Sequence, residues 1–139
     1  GYGIVMEDCT TGFAKQYSQG FRKTTNNRME LLAVIEALKK LKKSGLKITV
    51  YTDSKYVVDS IEKKWVFNWQ KKGFKNKKNI DLWLEFLKVY DQNTISFKWI
   101  KGHNNHPQNE ICDKLAFNAS ENKPLLVDTG YESNLNKLF

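Results

Sequence analysis

Cysteine is scarce in this sequence. The 139 residues hold two, Cys9 and Cys112. They lie far apart, and no C-x-x-C spacing suggests a zinc site or a disulfide framework. A reducing, cytoplasmic setting is the expectation. Long apolar runs are missing too. None approaches the ~20 residues that cross a bilayer, so no membrane partner is expected. The chain opens on a strand-like segment, where no secretory leader is expected. It shows no internal repeats and no low-complexity linker, which leaves one domain over residues 1–139. A chain this long can bury a core without staples. With 40% hydrophobic and 13% aromatic residues, it is globular rather than disordered.

Acids are the minority charge. Lys and Arg number 23 against 15 Asp and Glu, a net charge of +8. That excess suits a polyanionic partner, although solubility alone explains it equally well.

The pattern alternates strands and helices. Residues 1–7 and 13–21 read as strands across a turn at 8–12. Asn26 and Asn27 are good caps for a helix over 29–43, where Leu31, Ile35, Leu38 and Leu41 form an apolar stripe. Gly45 ends it. Residues 47–52 read as a strand, and Ser54 can cap a helix to about Lys63. Residues 79–90 read as a helix and 94–100 as a strand. Pro107 suits the first turn of a last helix reaching about Glu121. Residues 128–139 look like a tail with little structure of its own. A hairpin followed by alternating elements predicts an α/β fold, a mixed β-sheet with helices packed on it.

Three acids fall where a site would need them. Glu30 is placed in the first turn of the first long helix. Asp53 follows a strand at its C-terminal end, where α/β sheets collect ligands. Asp113 lies one turn into the last helix. Carboxylates brought together repel unless a hard cation sits between them, and Mg²⁺ takes such oxygen ligands. Each acid alone has a plainer explanation: a helix-dipole partner for Glu30, a second cap for Asp53, an exposed helix charge for Asp113. Spacing does not prove convergence.

A further stretch, residues 65–78 (WVFNWQKKGFKNKK), is both aromatic and basic and is expected to protrude. Lysines there can bind phosphates as point charges, and aromatic faces can rest on sugars. Trp65 and Trp69, four apart, could instead pack as one helix face. One of the two is expected to be buried and the other at the surface.

Three segments carry a resemblance. T-T-N-N-R-M-E-L at 24–31, T-D-S-x-Y-V at 52–57 and K-G-H-x-x-H-P-x-N-E-x-C-D at 101–113 occur in that order. D-L-W at 81–83 and D-T-G-Y at 128–131 add to them. Together they resemble type 1 ribonuclease H of the bacterial kind. The resemblance implies a ribonuclease H-like fold, helices on both faces of the sheet and a basic helical protrusion. It implies cleavage of the RNA strand of RNA–DNA hybrids by a two-metal-ion mechanism, leaving 5′-phosphate and 3′-hydroxyl ends. Glu30, Asp53 and Asp113 are then the metal ligands, with Mg²⁺ as the ion and Mn²⁺ as a possible substitute.

The same resemblance assigns further roles. His103 assists proton transfer or product release. Asn109 supports the site, while His106 is structural or capping. Asn26 and Asn27 help to read the hybrid. Thr25, Arg28 and Asn68 match positions that bind a DNA phosphate. Trp65, Trp69, Lys71, Lys72 and Lys75 belong to the protrusion that grips the DNA strand. Lys55 departs from the glutamine that many members carry.

Another departure is larger. The family carries a strand with D-G-S ahead of the position of Gly1, at the centre of its sheet, and that strand holds a fourth carboxylate. The 139 residues contain no substitute for it. The chain alone is expected to be weakly active and poorly folded, and a monomer if the strand is present. A hybrid-binding module without catalysis is therefore the alternative. An integrase- or transposase-like enzyme would share the acids but lack T-T-N-N-R-M-E and the protrusion.

Overall fold

The computed structural model describes residues 1–102 and 106–136. Strands β1 (Tyr2–Glu7) and β2 (Ala14–Gln19) form an antiparallel hairpin. The Asp8 carboxylate closes its turn by accepting the N–H groups of Thr10 and Thr11 at 2.8 and 3.3 Å. Strands β3 (Lys47–Thr52) and β4 (Thr94–Trp99) pair in parallel, with Thr52 opposite Trp99. The expected single sheet is thus two separate two-stranded sheets. Among the described residues no strand stands between β1 and β3 to join them.

Among the described residues six helices surround these pairs: α1 (Asn26–Lys39), α2 (Lys55–Glu62), α3 (Trp65–Lys71), α4 (Ile80–Tyr90), α5 (Pro107–Glu121) and α6 (Thr129–Asn136). Alternation along β1 places helices on both faces of the hairpin. A Cβ at Gly3 would run into the Cys112 carbonyl of α5. Tyr2, one residue away, points to the other face and feels the charge of Glu36 on α1. Ile4, on that same face, is buried.

The main core fills the space between α1, α2, α4 and the β3–β4 pair. Leu31, Val34, Ile35 and Leu38 meet Val57, Ile61, Trp83, Phe86 and Phe97. Phe86 stands edge-on to both Trp83 and Phe97, at centroid distances of 5.7 and 6.1 Å, a favoured aromatic geometry. Trp83 keeps its indole N–H satisfied by donating to the Tyr56 hydroxyl at 2.9 Å.

Several sequence expectations shift here. The cap of α1 is Thr25, whose hydroxyl accepts the Arg28 N–H at 3.2 Å. Asn26 and Asn27 are the first helical residues instead, so their side chains are not spent on capping. The helix stops at Lys39 rather than 43. Gly45, at φ 73, then turns the chain and donates to the Gln92 carbonyl at 2.8 Å. The expected tail contains helix α6. A single parallel bridge, Phe21 to Leu126, leads into it, with the Arg22 N–H on the Leu126 carbonyl and the Leu126 N–H on the Gly20 carbonyl.

Arg28 fixes this end of the molecule. It is 2% exposed. Its Nε and Nη2 donate to Asp128 at 2.8 and 2.9 Å. Nη1 and Nη2 donate to Asp81 at 2.9 and 2.7 Å. Nη1 also reaches Asn79 Oδ1 at 3.4 Å. All five guanidinium N–H groups are thereby used. Gly130 is part of the same closure, since a Cβ there would overlap the Asp81 carboxylate. Burial works against the Arg28 charge, but hydrogen bonds to both carboxylates outweigh it and raise the pKa. The Asp81 carboxyl is held below its ordinary value, chiefly by its hydrogen bond to Arg28. Burial would raise Asp128, but the bonds from Arg28 and Thr24 bring it below its ordinary value.

Arg28→Ala would leave Asp128 buried without its cation. Breaking a buried ion pair from one side costs ~3–5 kcal/mol, and that loss is expected in chemical denaturation. A loss near zero would show that the clamp does not hold α1, α4 and α6 together.

Candidate active site and substrate face

Three elements bring the acids together. Glu30 lies in the second turn of α1, not the first; the first turn has no acid, so the helix-dipole explanation falls away. Its Oε2 accepts the Thr52 hydroxyl at 3.4 Å, tying α1 to the end of β3. Asp53 follows Thr52 immediately. Asp113 sits on α5, which packs on β1. The acids thus bridge the break between the two sheets.

Their charges meet at Glu30. Its carboxyl is pushed from the ordinary 4.5 up to about 7, first by burial and then by repulsion from Asp53 and Asp113, with the Thr52 hydrogen bond opposing. The three acids share one electrostatic neighbourhood. Among the described residues, however, no group of three or more His, Cys, Asp or Glu side chains is arranged to hold a metal ion by itself. The donor chemistry still fits a hard divalent cation: the oxygens are carboxylate, and the repulsion between them is what such an ion would relieve. Cys112 stays outside that set. Burial pushes its thiol up, which keeps it protonated.

Gly102 stands against Asp53, where a Cβ would lie 3.2 Å from Oδ2. His103 lies outside the described residues. His106 is the N-cap of α5, its Nδ1 accepting the Asn109 N–H at 3.2 Å, so the expected capping role is observed. Asn109 joins that cap through its backbone.

A second face adjoins the first. Thr25, Asn26 and Asn27 are exposed at the start of α1. Beside Asn27 lies a cavity of about 300 Å³ lined by Tyr56, Trp69, Lys77, Lys78 and Asn79. None of the three acids lines it. The sequence marks Asn79 only as the start of a helix. Its φ of 61, tolerated by asparagine, turns its amide between Arg28 and the Tyr56 hydroxyl, to which it donates at 3.1 Å. The one local signal for that role is its place directly before α4, beside a run of lysines.

The protrusion is helix α3 and the turns after it. Trp65 is 42% exposed, whereas Trp69 packs edge-on against Trp83 at 6.1 Å. Phe74 is buried. Asn68, Lys71, Lys72 and Lys75 are exposed. One expected contact does not stand. With five donors committed inside the protein, Arg28 has none to offer a DNA phosphate.

The family profile of RNase H matches residues 1–121. The chain is 47% identical over 133 residues to the Ribonuclease H of Desulforamulus reducens, covering 92% of this chain and 82% of that one. It is 46% identical over 140 residues to the Ribonuclease H of Shewanella denitrificans, covering 97% and 86%. Among solved structures, LC9-RNase H1, a type 1 RNase H with the type 2 active-site motif, matches with TM-score 0.64 and 36% identity over 79% of this chain and 56% of that one. The PFV RNase H domain matches with TM-score 0.66 and 26% identity over 86% and 80%.

The Glu30 shift sets a pH dependence. Without metal, the folded chain holds the Glu30 proton more tightly than the unfolded chain. Below about 4.5 both states are protonated and nothing is lost; from there to about 7 stability falls as pH rises, and above that the full penalty is present. In chelator, Glu30→Gln is therefore expected to melt higher than the parent at alkaline pH, with the difference gone in acid. Equal melting at both ends would mean that the acids do not share one site.

Proposed function

The chain belongs to the ribonuclease H family, and from that premise we propose that it cuts the RNA strand of RNA–DNA hybrids at the cleft shared by Glu30, Asp53 and Asp113. Membership makes it an endoribonuclease of a family that uses divalent metal ions. The observation that supports this cleft is the convergence of charge on Glu30 from two other elements.

Glu30, Asp53 and Asp113 would hold the ions, Mg²⁺ with Mn²⁺ as substitute. Two bound ions would supply an activated water and a counter-charge for the leaving 3′ oxygen, giving 5′-phosphate and 3′-hydroxyl products. The chain's own residues do the rest. Thr52 and the α1 backbone aim Glu30 at the cleft. The amides of Asn26 and Asn27 donate to and accept from 2′-hydroxyls and minor-groove edges, which distinguishes RNA by shape and sugar. Thr25 and Asn68 offer polar contacts to the DNA backbone. Lys71, Lys72 and Lys75 add charge, and Trp65 offers an exposed face. Trp69 acts from below, as a wall of the cavity. His103 carries a proton for the water or leaving group, and Asn109 keeps its place in the α5 cap. No helix among the described residues is long and apolar enough to cross a membrane. A cytoplasmic monomer is the proposed working state.

The cleavage assay is direct. Hybrid, double-stranded DNA and double-stranded RNA are incubated in Mg²⁺, with the chain alone and with a strand bearing D-G-S placed ahead of Gly1. Cleavage of the hybrid alone, stronger with the added strand and lost in Asp53→Asn, is expected. Binding without cleavage in both forms would favour the non-catalytic module instead.

The protrusion has its own test. Replacing Lys71, Lys72 and Lys75 together by Gln is expected to flatten the slope of log affinity against log salt by about 0.9 for each phosphate no longer neutralised. An unchanged slope would make this charge run a solvated face.

A further inference from the structure

Tyr51 and Thr52 end β3, directly before Asp53. Successive strand residues point to opposite faces. Thr52 is buried, and its hydroxyl donates to Glu30 on α1. Tyr51 points the other way. Its ring packs at a tilt on His106, with centroids 5.9 Å apart and planes at 34°, within the spacing of favourable ring pairs. His106 is the N-cap of α5, and its Nδ1 accepts the Asn109 N–H at 3.2 Å. Tyr51 is nevertheless 54% exposed, more than packing into a core would leave.

A phenol ring resting on a histidine would by itself be ordinary surface packing. What each element carries makes this pair informative. α5 packs on the β1–β2 hairpin. Among the described residues that hairpin shares no strand pairing with β3 and β4. Asp113 rides on α5, Glu30 rides on α1, and Asp53 follows β3. Two neighbouring residues of β3 therefore reach the two other acid-bearing elements, one from each face. An imidazole suits the α5 side, because one edge can accept the helix N–H while the ring face meets the phenol.

We propose that Tyr51 is a positioning residue for the acid cleft: its ring holds the His106 cap and, through that cap, keeps Asp113 on α5 within reach of Asp53 and Glu30. The inference rests on the reading of the cleft as a site for divalent ions. Tyr51 touches neither ion nor substrate in this role and acts only through His106. The ring supplies the contact, and the hydroxyl is dispensable.

The test needs no turnover. Mn²⁺ binding is measured by electron paramagnetic resonance, and exchange of the Asn109 amide by NMR in chelator, both well below the melting temperature. The 139-residue chain and the form with a D-G-S strand ahead of Gly1 are measured in parallel. Tyr51→Thr removes the ring and keeps a residue that suits a strand. It is expected to weaken Mn²⁺ binding roughly two- to tenfold, the range a ring pair supports, and to speed Asn109 exchange by a similar factor. Tyr51→Phe, which keeps the ring, is expected to match the parent in both. Thr49→Ala, on the same face of β3, controls for loosening of the strand and should leave Mn²⁺ affinity unchanged. His106→Asn keeps a capping side chain without the ring, and on that background Tyr51→Thr should cost nothing more. A Tyr51→Thr protein that melts lower but binds Mn²⁺ like the parent would overturn the proposal. Additive losses in the double variant would do the same, as would a Tyr51→Phe as weak as Tyr51→Thr. If the parent itself binds no Mn²⁺, it is the ion-site reading that falls, while Asn109 exchange still decides whether Tyr51 holds the cap.

Discussion

Arg28 donates every N–H it has, and one end of the molecule depends on where they go. Two carboxylates from distant parts of the sequence, Asp81 at the start of α4 and Asp128 before α6, close on one buried guanidinium. The planar fork makes this possible, because each carboxylate can take two parallel bonds. The arrangement welds α1, α4 and the C-terminal segment at one point. That point lies directly behind Thr25, Asn26 and Asn27, whose exposed side chains it holds in place. The Thr24 hydroxyl extends the network by donating to Asp128 at 2.6 Å.

Two residues further along the same helix the electrostatics reverse. Glu30 has burial and two like charges working against its ionised form, with the Thr52 hydroxyl opposing them. Within one turn of α1, then, a positive charge is fully compensated and a negative charge is not. The first arrangement serves stability. The second is costly in the metal-free chain and makes sense where a divalent ion is to be bound, a familiar tension between a working site and a stable one.

Aromatic residues divide between these two tasks. Trp83 and Phe86 are fully buried and anchor the core, with Trp69 leaning on it from the protrusion. Trp65 and Trp99 remain substantially exposed, each with a lysine over its ring. The cation–π contacts let the protein hold lysines at defined positions without burying their charge.

Much of this is legible in the residues themselves. Periodicity, cap residues and turn glycines locate most of the elements to within a few positions, because helices and strands are local and their signals are local. The three acids and the His106 cap can be picked out through motif order, since each motif occupies one contiguous stretch. What the sequence leaves open requires contacts between distant stretches. Nothing near Arg28 marks it as buried rather than phosphate-facing; that depends on Asp81 and Asp128, 53 and 100 residues away. The helix in the tail forms where residues 125–132 meet residues 20–28, so no local pattern announces it. Asn79 acquires its place only through Tyr56 and Arg28. The division of the expected sheet into two pairs likewise follows from which strands find partners, and strand pairing is a property of the folded chain rather than of any single segment.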